Sequence, residues 1–263
     1  MSDVAHKTVL ITGAGKRIGR ALALDLASHG WAVGVHYASS AEAAKEVVSQ
    51  ITEAGGQAHA VQADLSDAQA VEAIFPEICA ALGPIGLLIN NASKFDRDSV
   101  HTLTAESWDA HINTNLRAPA LLMRDFANQE IFQSGAVDAS NHGCIINITD
   151  QRVWRLTPDF ASYTVSKTGL WTLTQTFAQA LAPQHIRVNA IAPGPTLPNP
   201  RQDKSEFDKQ ARLVPLGHGA NPSEIADGVR FILNAAAMTG QTIALDGGQH
   251  LAWQTPDVVE VKE

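Results

Sequence analysis

At 263 residues, 45% of them hydrophobic and 17% charged, the chain has the composition of an ordinary globular protein and the length of one large α/β domain or two smaller ones. A formal net charge of −8 argues against nucleic acid or an anionic membrane as main partner, so any anion site must be local. Cys79 and Cys144 have neither metal-ligand spacing nor a disulfide framework, and neither a signal core nor a membrane-length apolar run is present, which predicts a metal-free cytoplasmic protein.

The first apolar run begins near Thr8 and enters a turn containing Thr12, Gly13, Lys16, Arg17, Ile18 and Gly19, followed by a helical pattern that stops at Gly30. Strand, glycine turn and helix together bring backbone N–H groups and a positive helix end toward a pyrophosphate, with Gly13 and Gly19 permitting close approach. The second strand starts near Trp31 and ends at His36, Tyr37, Ser39 and Ser40, with no acid until Glu42. A carboxylate at that strand end would hold ribose hydroxyls and repel a further phosphate. Its absence, beside Lys16 and Arg17, predicts NADPH rather than NADH. His36 reads equally as a phosphate contact or as a structural residue. After the third strand, which begins near His59, come Asp64 and Leu65, where an acid close to Ser66 and Asp67 fits a helix N-cap.

The fourth strand, from Leu87, runs into Asn90, Asn91, Ala92, Ser93 and then Phe95; the next helical stretch carries Asn113 and Asn115. Residues 128–142 are irregular and predict a surface loop. The fifth strand, from Cys144, ends near Asp150, and the helix after it places Tyr163 and Lys167 four apart on one face. A free tyrosine titrates at about 10; a cation about 4 Å away is worth roughly 4 kcal/mol at an effective dielectric of about 20, or about three pKa units at most. An ionised Asp150 beside Tyr163 would raise the phenol pKa, and a protonated one could relay a proton; both favour proton donation and hence reduction. The sixth strand, from Arg187, leads through Pro193 and Gly194 into the segment 193–200, which predicts a substrate-covering loop. The seventh starts near Thr242, and the tail from Thr255 is expected to be mobile. Trp154 and Trp253 read as packing residues. Regular alternation predicts one domain, 1–263, with a Rossmann-type doubly wound seven-stranded parallel sheet and helices on both faces. Thr12, His36, Asp64, Asn90, Asp150 and Pro193 all follow strand ends and should line one edge.

These motifs resemble the short-chain dehydrogenase/reductase family over nearly the whole chain. The family turn reads Thr-Gly-x-x-x-Gly-x-Gly; Thr12, Gly13 and Gly19 match, while Arg17 replaces the middle glycine and, with Lys16, is similar to the turn of pteridine reductases. That subgroup has an aspartate 13 residues before the tyrosine, where most of the family has serine, and Asp150 stands there. Asn90 to Ser93 resembles the family's Asn-Asn-Ala-Gly, with Phe95 where pteridine reductases place a pterin-stacking phenylalanine; a core role is the alternative. Bacterial dihydromonapterin reductases share the pattern. The resemblance implies Tyr163 as proton donor, Lys167 lowering its pKa and bonding the nicotinamide ribose, and Asn115, ahead of Asn113, holding a relay water. It implies Asp64 at the adenine, and a substrate site of Arg17, Ser93, Phe95, Asp150 and Tyr163. The expected reaction is NADPH-dependent reduction of a pteridine or dihydropterin, the alternatives being another ketone or imine such as a 3-oxoacyl group, or a silent NADP-binding scaffold. Family members form tetramers through the tyrosine helix, the helix before it and the last strand, with which Ala161, Gly169, Ala178 and Leu181 are compatible.

Overall fold

The apolar runs become seven parallel strands: β1 (Thr8–Ile11), β2 (Ala32–Tyr37), β3 (Ala58–Gln62), β4 (Leu87–Asn90), β5 (Gly143–Ile148), β6 (Ile186–Pro193) and β7 (Thr242–Leu245). The computed structural model describes residues 6–134, 137, 142–198 and 201–255, and in it one sheet has the order β3-β2-β1-β4-β5-β6-β7. Between them lie α1 (Arg17–Ser28), α2 (Ala41–Glu53), α3 (Ala68–Leu82), α4 (Ala105–Ile112), α5 (Ala118–Ala127), α6 (Glu130–Gln133), α7 (Ala161–Leu181), α8 (Lys204–Arg212) and α9 (Pro222–Asn234). Among the described helices none is long and apolar enough to cross a membrane.

Period-two alternation decides the layers. Val9 and Ile11 of β1 enter a core with α1, α2 and α9, whereas Leu10 between them enters a second core with α3, α5 and α7. The chain steps outward from β1 to β3 and then returns to pair β4 with β1, Val9 opposite Leu87 and Ile11 opposite Ile89. A crevice forms at the carboxyl ends where that order reverses, which is where the residues after β4 and β5 and the glycine turn converge.

Two expectations are corrected. Residues 128–134 are not a loose surface loop: the Gln129 side chain accepts from the Ile85 N–H at 2.8 Å and donates to the Ile85 carbonyl at 3.0 Å. α6 then buries Phe132, whose ring lies 4.9 Å from that of Phe126. One turn of helix is too short to show a period, so composition alone could not reveal it. Residues 135, 136 and 138–141 of that stretch, and the tail from 256, lie outside the described residues. Second, Ala178, one of the four positions compatible with a subunit contact, is covered within the subunit, while Gly169 is half-buried. A Cβ on Gly169 would stand 2.7 Å from Leu116, and Ala178 is buried in the second core.

At the start of β6, Arg187 is buried beneath α9 and donates to the carbonyls of Ile232, Leu233, Ala235 and Met238 at 3.0–3.3 Å. A cation there satisfies carbonyls that the last turn of the helix leaves without partners.

Candidate active site

The glycine turn is built around close backbone approach. Gly13 has φ +65°, a conformation strained for any side chain, and a Cβ on Gly19 would stand 2.2 Å from the Gly13 carbonyl and 2.6 Å from Asn91 Nδ2, where there is no room for one. Thr12 Oγ1 accepts from the N–H groups of Asn91 and Ala92, both at 2.9 Å, fastening the turn to the end of β4. The family's middle glycine has a physical reason here: Arg17 adopts φ +55°, a left-handed conformation that costs a non-glycine residue about 1 kcal/mol. Its guanidinium donates to the carbonyls of Leu197 and Pro198, and burial lowers its pKa. The turn and the segment after β6 are thus joined across the cleft.

His36 is resolved in favour of the structural reading. Its Nδ1 accepts the Gly13 N–H at 3.1 Å, so the proton sits on Nε2, which donates to the Ala63 carbonyl at 3.1 Å. Burial pushes its pKa down to about 4. The neutral ring spends both nitrogens on backbone and brings no positive charge to a phosphate. Asp64 accepts from the N–H and O–H of Ser66, both at 2.8 Å, and these bonds lower its pKa. The cap of α3 is Asp67, not Asp64.

A cleft of ≈ 920 Å³ opens along this edge; the residues assigned to cofactor, substrate and catalysis line it except Asn115, while Thr12 and Asn90, expected at the same edge, are buried and do not. Asn115 is fully buried in a π-helical turn, Asn113–Arg117, between α4 and α5. Its carboxamide accepts from the Lys94 N–H at 2.7 Å and donates to the Lys94 carbonyl at 2.9 Å and to Ser166 Oγ at 3.0 Å. These bonds tie the loop after β4 to α7. Pro193 and Gly194 close the far wall, where Gly194 has no space for a Cβ against Asp246.

At the centre, Tyr163 donates its O–H to Asp150 Oδ2 at 2.8 Å, while Asp150 Oδ1 accepts the Arg152 N–H at 2.9 Å. Lys167 donates to the Ile148 carbonyl at 2.8 Å, and its Nζ lies 5.8 Å from the Tyr163 ring centroid. Burial raises the Asp150 pKa, opposed by the Arg152 amide, the Tyr163 hydroxyl and the nearby cations. Burial, and then the charge and hydrogen bond of Asp150, hold the phenol well above its usual value. Lys167 does not prevail as the agent that lowers that pKa, because desolvation of a buried phenol and an adjacent carboxylate both act the other way. The consequence favours donation: Tyr163 keeps its proton at neutral pH.

Burial also pushes the Lys167 ammonium down to about 8. Reduction that leaves a phenolate on Tyr163 needs this charge, so kcat should fall as pH rises through about 8. Stability should move the other way. The folded pKa lies below the ordinary 10.5, so between about 8 and 10.5 the unfolded chain binds more protons and this group's contribution to stability rises with pH. A pH profile of turnover beside denaturation midpoints checks both signs; a rate flat to pH 10 or so would show that Lys167 does not act through its charge.

Phe95 lines the cleft, stacked on Phe160 with centroids 4.6 Å apart and planes at 5°, and edge-on to Tyr163 at 4.6 Å. Sequence reasoning missed what holds it there. Ser162 donates to Asp98 Oδ2, and its N–H bonds Oδ1 at 3.3 Å. His111 accepts the Asp96 N–H on Nε2 at 3.1 Å, leaving its proton on Nδ1, which lies 2.7 Å from Ser162 Oγ and 2.8 Å from the Ser107 carbonyl. Asp98, His111 and Ser162 are all buried and tie the Phe95 loop to α4 and to the residue preceding Tyr163. Partners 51 and 64 residues apart leave no local motif to read.

A doubly wound sheet with a glycine turn at its switch point and a buried Tyr–Lys–Asp group facing the same cleft is the plan of a nucleotide-dependent oxidoreductase. The comparisons narrow that class. A family model described as enoyl-(acyl carrier protein) reductase matches residues 13–250. The solved structure of FolM alternative dihydrofolate reductase 1 from Brucella canis, complexed with NADP, is 45% identical with a TM-score of 0.90, over 98% of this chain and 99% of that one. The 3-oxoacyl-acyl-carrier-protein reductase of Staphylococcus aureus is 33% identical over 249 residues, 93% of this chain and 98% of that one. A 3beta-hydroxysteroid dehydrogenase of Eggerthella lenta is 35% identical over 261 residues, 95% of each. The chain belongs to the short-chain dehydrogenase/reductase family.

Proposed function

We propose that this oxidoreductase reduces a pteridine or dihydropterin, with NADPH as cofactor and Tyr163 as proton donor. The observation that carries the reading is the Asp150 carboxylate, 2.8 Å from the Tyr163 hydroxyl in a cleft that also presents Phe95. A carboxylate can pair in two-point fashion with the amidine-like edge of a pterin, which a serine cannot match. Phe95, stacked on Phe160 with Arg201 over its ring, gives the flat ring an aromatic wall to lie against. The likeness to the Brucella canis protein, a dihydrofolate reductase holding NADP, supports both halves.

The residues present fit a dinucleotide: the glycine turn, closed on itself at Gly13 and Gly19, lines the cleft beside the N-terminus of α1, which has no side-chain cap. Lys16, Arg17, Ser39 and Ser40 line the end beside β2, where no acid stands to repel a 2′-phosphate. When bound, the reduced nicotinamide supplies the hydride. The chain's own part is to orient the substrate on Phe95 and Asp150, to deliver the proton from Tyr163 Oη, and to stabilise the resulting phenolate with Lys167.

The second reading, reduction of a 3-oxoacyl group, is favoured by the Staphylococcus aureus relative. Asp150→Ser separates the two. A pterin reductase should lose at least about a hundredfold in kcat/KM for its pterin, the scale of removing one partner of a buried charged pair. Retention of pterin turnover in that variant would remove Asp150 as the determinant. We place the protein in a reducing cytoplasm, where its free thiols Cys79 and Cys144 persist. We also read it as a homotetramer, for which the exposed Val165 on α7 and Phe231 on α9 offer apolar surface.

A further inference from the structure

We infer that Arg201, with Arg152 beside it, reads an anionic group carried on the side arm of the substrate. The inference deepens the pterin reading and rests on it. Although the chain carries a net charge of −8, the substrate end of the cleft is locally basic. Outside the Asp150, Tyr163 and Lys167 group, its charged lining residues are four cations, Arg17, Lys94, Arg152 and Arg201, and one anion, Asp96.

The two guanidinium groups are placed by the aromatic pair. Arg201 Cζ lies over Phe95, 5.4 Å from the ring centroid, and Arg152 Cζ lies over Phe160 at 4.9 Å. The two rings are stacked on one another, so both guanidinium groups sit on one aromatic pair, and both line the cleft. A ring held against Phe95 therefore needs an arm of only a few bonds to bring a carboxylate to Arg201. The guanidinium now donates to the Phe95 carbonyl at 2.7 Å and to Asp96 Oδ1 at 3.2 Å. That ion pair is half exposed on both sides, a setting in which such pairs are weak, so a substrate carboxylate with fork geometry can share or replace it.

Dihydrobiopterin and dihydrofolate isolate the effect, since they share the ring while only dihydrofolate carries carboxylates on its arm. The quantity measured is the kcat/KM of dihydrofolate relative to dihydrobiopterin, in the wild type, Arg201→Ala and Arg201→Glu, each at low and high salt. The expected result is a ratio about tenfold lower in Arg201→Ala and lower again in Arg201→Glu, entering through the KM of dihydrofolate. In the wild type the ratio should shrink with salt. An unchanged ratio in both variants overturns the inference, as does an equal fall for both substrates, which would mark Arg201 as a strap on the Phe95 loop. In those cases wild-type pterin turnover leaves the functional reading standing. If the wild type turns over neither pterin, that reading falls and the inference with it.

Discussion

Tyr163→Phe should lower kcat by roughly 100- to 10,000-fold, the range expected when a positioned proton donor is lost, while the dinucleotide still binds. The phenylalanine ring keeps its place beside Phe95 and His111, so the change removes one hydroxyl and little packing. It also strips Asp150 Oδ2 of its donor in a buried site, which should raise the carboxyl pKa further above its ordinary value. Steady-state turnover beside a cofactor titration checks the split. Near-normal kcat would show that the proton comes from elsewhere.

Arg187→Met should cost about 3 kcal/mol of stability or more, measured by urea denaturation, through loss of a buried cation bonded to four carbonyls. Methionine fills much of the stem volume but leaves the carbonyls at the end of α9 without their donor, and each buried unsatisfied group costs about 1–3 kcal/mol. Arg187→Lys should recover only part of the loss, because one ammonium cannot span the same fan of acceptors. The site lies at the amino end of β6, away from the cleft, so turnover at low temperature is the control that separates this effect from catalysis. A loss below about 1 kcal/mol would mean that solvent reaches those carbonyls.

What the sequence discloses and what it hides follow from distance along the chain. The strands were legible because both faces of a parallel sheet are covered, so β5 reads as the uninterrupted buried run Gly143–Ile148 and β6 as Ile186–Pro193. The Tyr163–Lys167 spacing was legible because one helix carries both. The balance around Tyr163 was not: spacing places a cation near the phenol, but only the fold shows that burial and Asp150 outweigh it. His36 sat at the right strand end for a phosphate contact, yet Gly13 and Ala63 claim both of its nitrogens. Asn115 lies outside the cleft lining, and its side chain is a tie to Lys94 and Ser166 that no spacing in the sequence shows. Asp98, His111, Ser162 and Arg201 belong to contacts between segments far apart in sequence, and no residue pattern within any one segment announces them.

The central claim is that the Asp150, Tyr163 and Phe95 arrangement serves pterin reduction. Its most direct test is loss of NADPH absorbance with dihydrobiopterin, dihydromonapterin and dihydrofolate, beside an acetoacetyl thioester. The account predicts turnover of at least one pterin, with NADPH clearly preferred over NADH. Turnover of the thioester alone would contradict it, leaving the fold and the Tyr163 chemistry in place but removing the pterin roles assigned to Arg17, Phe95 and Asp150.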